Sequence, residues 1–435
     1  MTPNSQNRPL NITTFNEISQ AIETSLPFTS FKSSLDHPRL FSTWEITTYL
    51  IPIAPPHFLR TLKKNSALPQ GISQTETGQK WFTLKEVFLL RDYFSNHGNR
   101  RTRYIPYRPV TPRPKIITAV NSAKESGKTT TLAHYAISAA MDGYRVLIID
   151  LDSQGKITSL FKQVVETKWD TALNLFANNY ARHLRSINQT KIQQGDAPFP
   201  ISDILDAATK NPVESLIKPT HWPNVDIIGA GLPLQESDAL LAFWQSKILA
   251  WNPWKVISDE LSLAGVLNNY DIVLIDTAPS MGHLTTCAVT TADILLLPFV
   301  ATQKAGQNTG QSLNVLHQVL HNIQERENIT ARALGRLEIA FTWEHILGVV
   351  TQFKDTAHNP HIADLQQAFG SSLCPHYQQY TPLIGSADGQ ENCIFDIDYR
   401  DYNKQTYAES RRPFDAFYGY MKNLIIDSWQ KSDSQ

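Results

Sequence analysis

The segment Ile116–Met141 constrains the fold more than any other stretch of this 435-residue chain. It begins with the apolar run Ile116–Val120, continues through a polar loop that ends in Gly127–Thr129 (Gly-Lys-Thr), and then becomes an Ala-rich helical pattern. A buried strand, a loop, Gly-Lys-Thr and a helix in this order are typical of a phosphate-binding loop, or P-loop. Backbone N–H groups at the helix N-terminus hold phosphates in such a loop, so the sequence predicts a nucleotide site in an α/β fold.

Two further strand patterns end in carboxylates. Val146–Ile149 is followed by Asp150 and Asp152, and Ile272–Ile275 is followed by Asp276. Ligands of open α/β sheets bind beyond the carboxyl ends of the strands, so we expect these acids to converge on the P-loop. There they can bind Mg²⁺ or orient an attacking water. A carboxylate at such a position is otherwise most often a helix cap, and only the combination with Gly-Lys-Thr favours the functional interpretation.

Apolar runs alternate with helical patterns through the rest of the chain. Continuous apolar runs are typical of strands buried on both faces of a parallel sheet, and three more fit this pattern: Val225–Ile228, Ile294–Leu297 and Leu347–Val350. The predicted fold class is therefore α/β, a P-loop nucleoside triphosphatase with a mostly parallel sheet. All of these runs are too short to span a membrane, so we expect no membrane partner. Residues 160–222 show mixed helix and loop signals without a clear order.

The nearly neutral overall charge hides two parts of opposite sign. The formal net charge is −1, yet residues 1–115 carry 15 Lys and Arg against 7 Asp and Glu, and the remaining residues carry 24 against 33. Such asymmetry indicates that the N-terminal part meets a polyanion. The three scattered cysteines fit a reducing compartment rather than a disulfide framework, and we therefore expect a cytoplasmic protein.

The N-terminal residues show the element order of a winged helix-turn-helix. Ser42–Glu45 and Thr83–Glu86 are capping boxes that open helices, Pro56–Lys64 predicts a helix between them, and Pro69–Lys80 predicts a β-wing. The second helix of this motif enters the major groove of DNA. An ordinary solvated helix face is the alternative, which the charge excess disfavours. The candidate DNA contacts lie on that helix and in the wing: His57, Arg60, Lys63, Lys64 and Lys80.

Composition divides the chain into four segments. Residues 1–40 form a polar arm with a helix expected near Phe15–Thr24, and residues 41–96 form the candidate DNA-binding domain. Residues 97–115 form a linker with four prolines and six Lys or Arg but no acid, which favours an extended, semi-rigid spacer. Residues 116–430 form the nucleotide-binding domain.

The order of motifs resembles the ParA family of deviant-Walker partition ATPases, which is related to MinD. The motifs are GKTTT, LIIDLDSQG and YDIVLIDTAPSMG, and the similarity continues through Asn224–Leu234 (NVDIIGAGLPL) and Thr291–Phe299 (TADILLLPF). It covers roughly residues 42–425. With the N-terminal winged helix, the chain is most similar to the RepA branch of RepABC-type replicons. The resemblance implies a DNA segregation ATPase that also represses its own operator.

The resemblance also implies roles for single residues. Lys128 would bind the β- and γ-phosphates, Thr129 would ligate Mg²⁺, and Thr130 would lie at the helix start beneath the phosphates. Asp150 would belong to the switch that positions the hydrolytic water, and Asp276 would be the Walker B acid at the Mg²⁺. The implied cofactors are ATP and Mg²⁺. The implied partners are DNA of the nucleoid, a ParB-like centromere-binding protein and a second copy of the chain in an ATP-dependent homodimer.

The P-loop departs from the family pattern Lys-Gly-Gly-x-Gly-Lys-Thr. Ala123 stands in place of the signature lysine, and Lys124 and Glu125 stand in place of the two glycines. Glycine reaches positive φ and lets phosphate approach the backbone, whereas a carboxylate brings negative charge towards the triphosphate. The candidate nucleotide-binding residues are nevertheless the whole loop and helix start: Lys124, Glu125, Ser126, Gly127, Lys128, Thr129 and Thr130.

Two functions from different classes stay open. The first is an active ATPase that drives DNA segregation, and the second is a nucleotide-binding-impaired relative that works as a DNA-binding repressor or adaptor. Retention of Lys128, Thr129, Asp150 and Asp276 favours the first function. A metabolic P-loop ligase or synthetase is a third class, and such enzymes seldom carry a basic N-terminal winged helix.

Overall fold

The computed structural model describes most of the chain: residues 39–73, 78–97, 104–111, 113–202, 205, 209–248, 251–333, 335–384 and 392–433. The helix expected near Phe15–Thr24 and nearly all of the predicted arm lie outside these residues. Pro38–Gln435 belongs to one compact unit.

The N-terminal elements form a small antiparallel sheet with helices. They are β1 (Leu40–Ser42), α1 (Thr43–Glu45), which continues as a π-helical turn (Ile46–Leu50), α2 (Pro55–Lys64), β2 (Ile72–Ser73), β3 (Lys80–Thr83) and α3 (Leu84–Asn96). The strand order is β1-β3-β2. Both predicted capping boxes form, one between Ser42 and Glu45 and one between Thr83 and Glu86. The order of helices and hairpin agrees with the predicted order, and the winged helix-turn-helix itself stays a prediction.

A seven-stranded sheet forms the centre of the nucleotide-binding part. Its strands are β4 (Lys115–Ala119), β5 (Val146–Leu151), β6 (Ile217–Pro219), β7 (Val225–Ile228), β8 (Ile272–Thr277), β9 (Ile294–Val300) and β10 (His345–Thr351). The strand order is β10-β9-β4-β8-β5-β7-β6. All neighbours are parallel except β6 and β7, which confirms the predicted sheet type. The edge strand β6 falls in the stretch that sequence patterns left without order.

Helices cover the sheet on both faces. They are α4 (Lys128–Asp142), α5 (Lys156–Leu160), α6 (Leu173–Gln193), α7 (Val213–Leu216), α8 (Ser237–Lys247), α9 (Val256–Leu263), α10 (His283–Thr291), α11 (Gln303–Ala333), α12 (Asp355–Phe369) and α13 (Lys404–Asp433). Successive strand residues belong to different apolar clusters: Ile148 packs with the residues of α4, whereas Leu147 and Ile149 pack with those of α6. Side chains alternate between the faces of a strand, so a fully apolar strand needs a helical layer on each face.

The N-terminal elements pack directly on the nucleotide-binding part. Phe58 and Phe94 share one apolar cluster with Tyr135 of α4. The buried Arg91 of α3 donates to the Leu50 carbonyl at 3.2 Å and to the Met141 carbonyl at 2.7 Å. The second of these bonds reaches the C-terminal end of α4, where a cation interacts favourably with the helix dipole.

His134 joins α4 to the C-terminal part of the chain. Its ring stacks on Phe414 with centroids 4.0 Å apart. Nδ1 donates to the Thr130 carbonyl at 2.7 Å, and Nε2 accepts from the Ile394 N–H at 3.1 Å. These two partners require a neutral ring with its proton on Nδ1. Burial lowers the pKa of His134 to about 4.

We expect His134 to make the stability of the fold depend on pH. Its pKa of about 4 in the folded chain lies below the ~6.5 of an exposed histidine. The stabilisation is therefore fully present above about pH 6.5 and is lost as the pH falls towards 4, with a total of about 3 kcal/mol. Urea unfolding of His134→Gln between pH 7.5 and 4.5 should show a flatter decline than the wild type. The exposed His317→Gln variant is the control, and identical pH slopes for wild type and His134→Gln would contradict the assignment.

Candidate nucleotide and magnesium site

Asn121 and Lys128 organise the loop between β4 and α4. The Asn121 side chain accepts from the Ala123 N–H at 2.9 Å and donates to the Pro298 carbonyl at 2.9 Å. The buried Lys128 Nζ donates to the Asn121 carbonyl at 2.8 Å, so the ammonium group lies across the loop. Burial lowers the pKa of Lys128, and the charges of Asp276 and Asp152 oppose that shift. A buried cation inside a loop of N–H groups is suited to hold phosphate oxygens.

The loop keeps a left-handed backbone where the family pattern has glycine. Gly127 has φ of 87°, and a Cβ there would lie 2.9 Å from the Thr351 side chain. Glu125 has φ of 57° although it carries a side chain, which costs about 1–2 kcal/mol. Residues at the end of β10 brace this backbone: Thr351 Oγ1 donates to the Ser126 carbonyl and Gln352 Nε2 donates to the Glu125 carbonyl, each at 2.8 Å. The side chains of Lys124 and Glu125 are exposed.

Thr129 and Asp276 form the candidate magnesium site. Thr129 Oγ1 donates to Asp276 Oδ2 at 2.7 Å. Burial raises the pKa of Asp276 to about 7. The other oxygen, Oδ1, is buried and has no hydrogen-bond partner among the described residues. A buried carboxylate oxygen without a partner, next to a threonine hydroxyl, fits the hard oxygen ligands that Mg²⁺ prefers.

Asp150 and Asp152 differ in burial and in the number of hydrogen bonds that their carboxylates accept. Asp150 pairs in register with Asp276 on the neighbouring strand and is 0% exposed. Both of its oxygens are engaged: Oδ1 accepts from the Asp152 N–H at 2.9 Å, and Oδ2 accepts from Thr158 Oγ1 at 2.6 Å and from the Thr158 N–H at 3.3 Å. Burial, and next the charge of Asp276, raise the pKa of Asp150. Asp152 is 9% exposed, and its Oδ1 accepts from the Gln154 N–H at 3.0 Å. The structure therefore shows which of the two acids is enclosed and which is accessible, a difference that the sequence pattern did not reveal.

A cavity of about 300 Å³ opens beside the P-loop. Gly127 and Thr130 of the loop and helix start line it, together with residues of the later chain that include Gln378, Tyr380 and Phe414. Ligand pockets begin at about this volume, and its position beside the phosphate loop suits the base and ribose of a nucleotide. The lining residues between Gln378 and Ile384 carry no motif and no periodic apolar pattern, so no sequence signal indicated this side of the cavity.

The candidate DNA contacts lie away from this site, on the N-terminal elements. Arg60, Lys63 and Lys64 are exposed on α2, whose opposite face buries Phe58 and Leu62. None of the three cations pairs with an acid within the part of the chain that the structure describes. Lys80, on β3, is half-buried, and His57 is exposed.

Comparison with known proteins places the chain in a family. A family described as "AAA domain" matches residues 114–331, about half of the chain. The chain belongs to this family. Putative replication protein A of Rhizobium rhizogenes is 25% identical over 372 residues, which cover 84% of this chain and 82% of that protein. Sporulation initiation inhibitor protein Soj of Bacillus subtilis is 29% identical over 210 residues, covering 47% of this chain and 66% of that protein.

Further relatives agree with the predicted resemblance. Protein SopA of Escherichia coli K12 is 26% identical over 247 residues, which cover 56% of this chain and 53% of that protein. A solved structure titled "Partition Protein" is 16% identical, covers 95% of this chain and 98% of its own, and superposes with a TM-score of 0.59, which supports the fold alone. The resemblance to ParA-type proteins and the P-loop fold with a mostly parallel sheet are thus confirmed. Within the described residues, no helix is both long and apolar enough to cross a bilayer.

Glu125 offers a direct test of the altered loop. We expect Glu125→Gly to bind ATP with Mg²⁺ about fivefold more tightly, because a negative charge leaves the vicinity of the phosphates. The free energy of unfolding should stay within about 1 kcal/mol, since relief of the left-handed strain and the added freedom of glycine in the unfolded chain oppose each other. Equilibrium titration with a fluorescent ATP analogue measures the affinity. Glu125→Gln separates charge from backbone strain, and unchanged affinity in both variants would contradict the expectation.

Proposed function

We propose that this protein is an ATP- and Mg²⁺-dependent ATPase that segregates plasmid or chromosomal DNA. The observation that carries this proposal is the buried Lys128 across the loop, together with Thr129 bonded to Asp276, whose second oxygen is buried and has no hydrogen-bond partner among the described residues. The relatives named Soj, SopA and putative replication protein A support it.

The residues of the site fit distinct tasks in phosphoryl transfer. The N–H groups of the loop and the Lys128 ammonium would hold the phosphates, and Thr129 with Asp276 would hold Mg²⁺. When bound, Mg²⁺ neutralises charge on the β- and γ-phosphate oxygens. Asp150 and Asp152 both lie in residues 150–158, which we call the switch loop. We assign the water-orienting carboxylate to Asp152, because it is the more accessible of the two and has fewer hydrogen bonds.

The proposed partners are DNA, a ParB-like centromere-binding protein and a second copy of the chain. Specific operator binding would use α2 of the N-terminal part as a recognition helix, and sequence-independent binding would use the ATP-bound homodimer on nucleoid DNA. Lys80 would contact the backbone beside the recognition helix. The exposed cations of α2, which form no ion pair with the residues that the structure describes, support the first of these contacts.

A nucleotide-binding-impaired repressor or adaptor remains the second candidate function. The strained Glu125 and the absence of a lysine at Ala123 favour it. The bonds from Thr351 and Gln352 that hold the loop in shape favour the ATPase instead.

Hydrolysis separates the two candidate functions. We expect the wild type to hydrolyse ATP in the presence of Mg²⁺, DNA and the partner protein, and we expect Lys128→Ala to be at least about 100-fold slower because a charge on the transferred phosphoryl group loses its cation. Steady-state phosphate release measures this. Lys304→Ala, an exposed lysine on α11, is the matched control. Equal rates for wild type and Lys128→Ala would leave only the repressor or adaptor.

DNA binding by α2 is tested separately. We expect Arg60→Ala combined with Lys63→Ala to weaken binding to the promoter region of the protein's own gene. The slope of log affinity against log salt should fall by about 2, since each lost phosphate contact removes ~0.9. Fluorescence anisotropy at several salt concentrations measures both. Lys304→Ala combined with Lys431→Ala, two exposed lysines on α11 and α13, is the control, and an unchanged slope in the α2 variant would refute the assignment.

A further inference from the structure

We propose that Thr158 is a positioning residue of the switch loop, which we define as residues 150–158. Its hydroxyl fixes Asp150 and, through Asp150, sets the orientation of Asp152 for hydrolysis. This inference rests on the proposed ATPase function and assigns a role to a residue eight positions beyond the acid that it contacts.

The Thr158 hydroxyl bridges two strands of the sheet. Oγ1 accepts from the Ala230 N–H at 2.9 Å and donates to Asp150 Oδ2 at 2.6 Å. Ala230 follows β7, and Asp150 lies in β5. Because a backbone N–H can only donate, the single hydroxyl proton must point to the carboxylate. Thr158 is buried, so neither bond can be replaced by bulk water.

Two glycines make this close contact feasible. Gly155 has φ of 60°, and a Cβ there would lie 2.7 Å from the Ala230 carbonyl oxygen. A Cβ on Gly229 would lie 3.1 Å from Thr158 Cγ2. A side chain at either position would meet the opposite segment, which is why the switch loop and the residues after β7 can lie this close together. The backbone of each segment is therefore adapted to bring Thr158 Oγ1 within reach of the Ala230 N–H.

The contact passes from Asp150 to Asp152 through the backbone. Asp150 Oδ1 accepts from the Asp152 N–H at 2.9 Å, and the Asp152 carbonyl accepts from the Gly155 N–H at 2.8 Å. With Thr158 in place, both Asp150 oxygens are held in position. The Asp150 carboxylate therefore fixes the Asp152 N–H and, with it, the start of the turn that carries Asp152. Without the hydroxyl, Asp150 Oδ2 loses its short bond and keeps only the longer one from the Thr158 N–H at 3.3 Å, so the carboxylate is held less firmly. Asp152 then loses its fixed position relative to Lys128.

The experiment compares Thr158→Val with Thr158→Ser. Valine keeps the shape but removes both hydroxyl bonds, and serine keeps the hydroxyl. The matched control is Thr171→Val, because Thr171 is also fully buried and its hydroxyl donates to the Lys168 carbonyl at 2.6 Å and accepts from the Leu173 N–H at 3.2 Å. The readouts are kcat and KM for ATP with DNA, affinity for a fluorescent ATP analogue, and hydrogen exchange in peptides that cover 150–158 and 226–232.

We expect Thr158→Val to lower kcat by about 10- to 100-fold, as misplacement of a reacting group does, while KM and nucleotide affinity change less than twofold. Exchange at the Asp152 and Ala230 amides should become at least tenfold faster. Thr158→Ser should restore both readouts, and Thr171→Val should leave both unchanged. A wild-type kcat and wild-type exchange in Thr158→Val, or failure of serine to restore them, would overturn the inference.

The two proposals fail in different ways. If the wild type hydrolyses no more ATP than Lys128→Ala, the proposed ATPase function is lost, and with it the role of Thr158 in hydrolysis. The exchange rates of the Asp152 and Ala230 amides then decide on their own whether Thr158 fixes the loop.

Discussion

The rest of the site depends on one constraint: two carboxylates, Asp150 and Asp276, lie side by side out of contact with solvent. The parallel register of β5 and β8 puts Asp150 directly beside Asp276, and both are at most 1% exposed. Burying one charge is costly, and burying two like charges together is more so. Neighbouring groups offset this cost: the hydroxyls of Thr158 and Thr129 donate hydrogen bonds to the two carboxylates, and the Lys128 cation lies nearby. A divalent cation would add its charge at Asp276 Oδ1, the oxygen for which the described residues supply no hydrogen-bond donor.

Helix α4 connects this balance with the ends of the chain. Its first turn starts in the P-loop, its second turn carries His134, which bonds to the Ile394 N–H, and its last turn receives the Arg91 guanidinium. The N-terminal elements also reach α13: Trp44 lies edge-on to Tyr407 with ring centroids 6.4 Å apart. Elements from both termini thus bury the same helix. This explains why one apolar cluster runs through segments that composition separates.

Local patterns in the sequence were sufficient for much of this architecture. Continuous apolar runs predicted the central strands, and the residue pairs Ser42 with Glu45 and Thr83 with Glu86 predicted helix starts, because each depends on residues close together in the chain. Contacts between segments that are distant in the sequence could not be predicted from such local patterns. The edge strand β6 has only three residues, Ile-Lys-Pro, and two of them are exposed, so its sequence carries no strand signal. The cavity wall around Gln378 and Cys393 exists only because the chain returns to the P-loop.

The same limit applied within the site. The motif located Asp150 and Asp152 but could not tell the enclosed acid from the accessible one, because that difference depends on Thr158 and on the strand partner. Glu125 was recognised as a departure from glycine. That its backbone is nevertheless left-handed, and is braced by Gln352, follows from the end of β10 and not from the loop itself.

The buried contacts of Arg91 with Leu50 and Met141 bear on the geometry of the proposed DNA binding by α2. A DNA-reading helix on a flexible tether can adjust to different separations between half-sites, whereas α2 belongs to elements that are packed onto α4. In a homodimer of this chain, the distance and the angle between the two α2 helices would follow from how the nucleotide-binding parts pair. The spacing of operator half-sites that such a dimer could bind would then be set by the interface between its two nucleotide-binding parts.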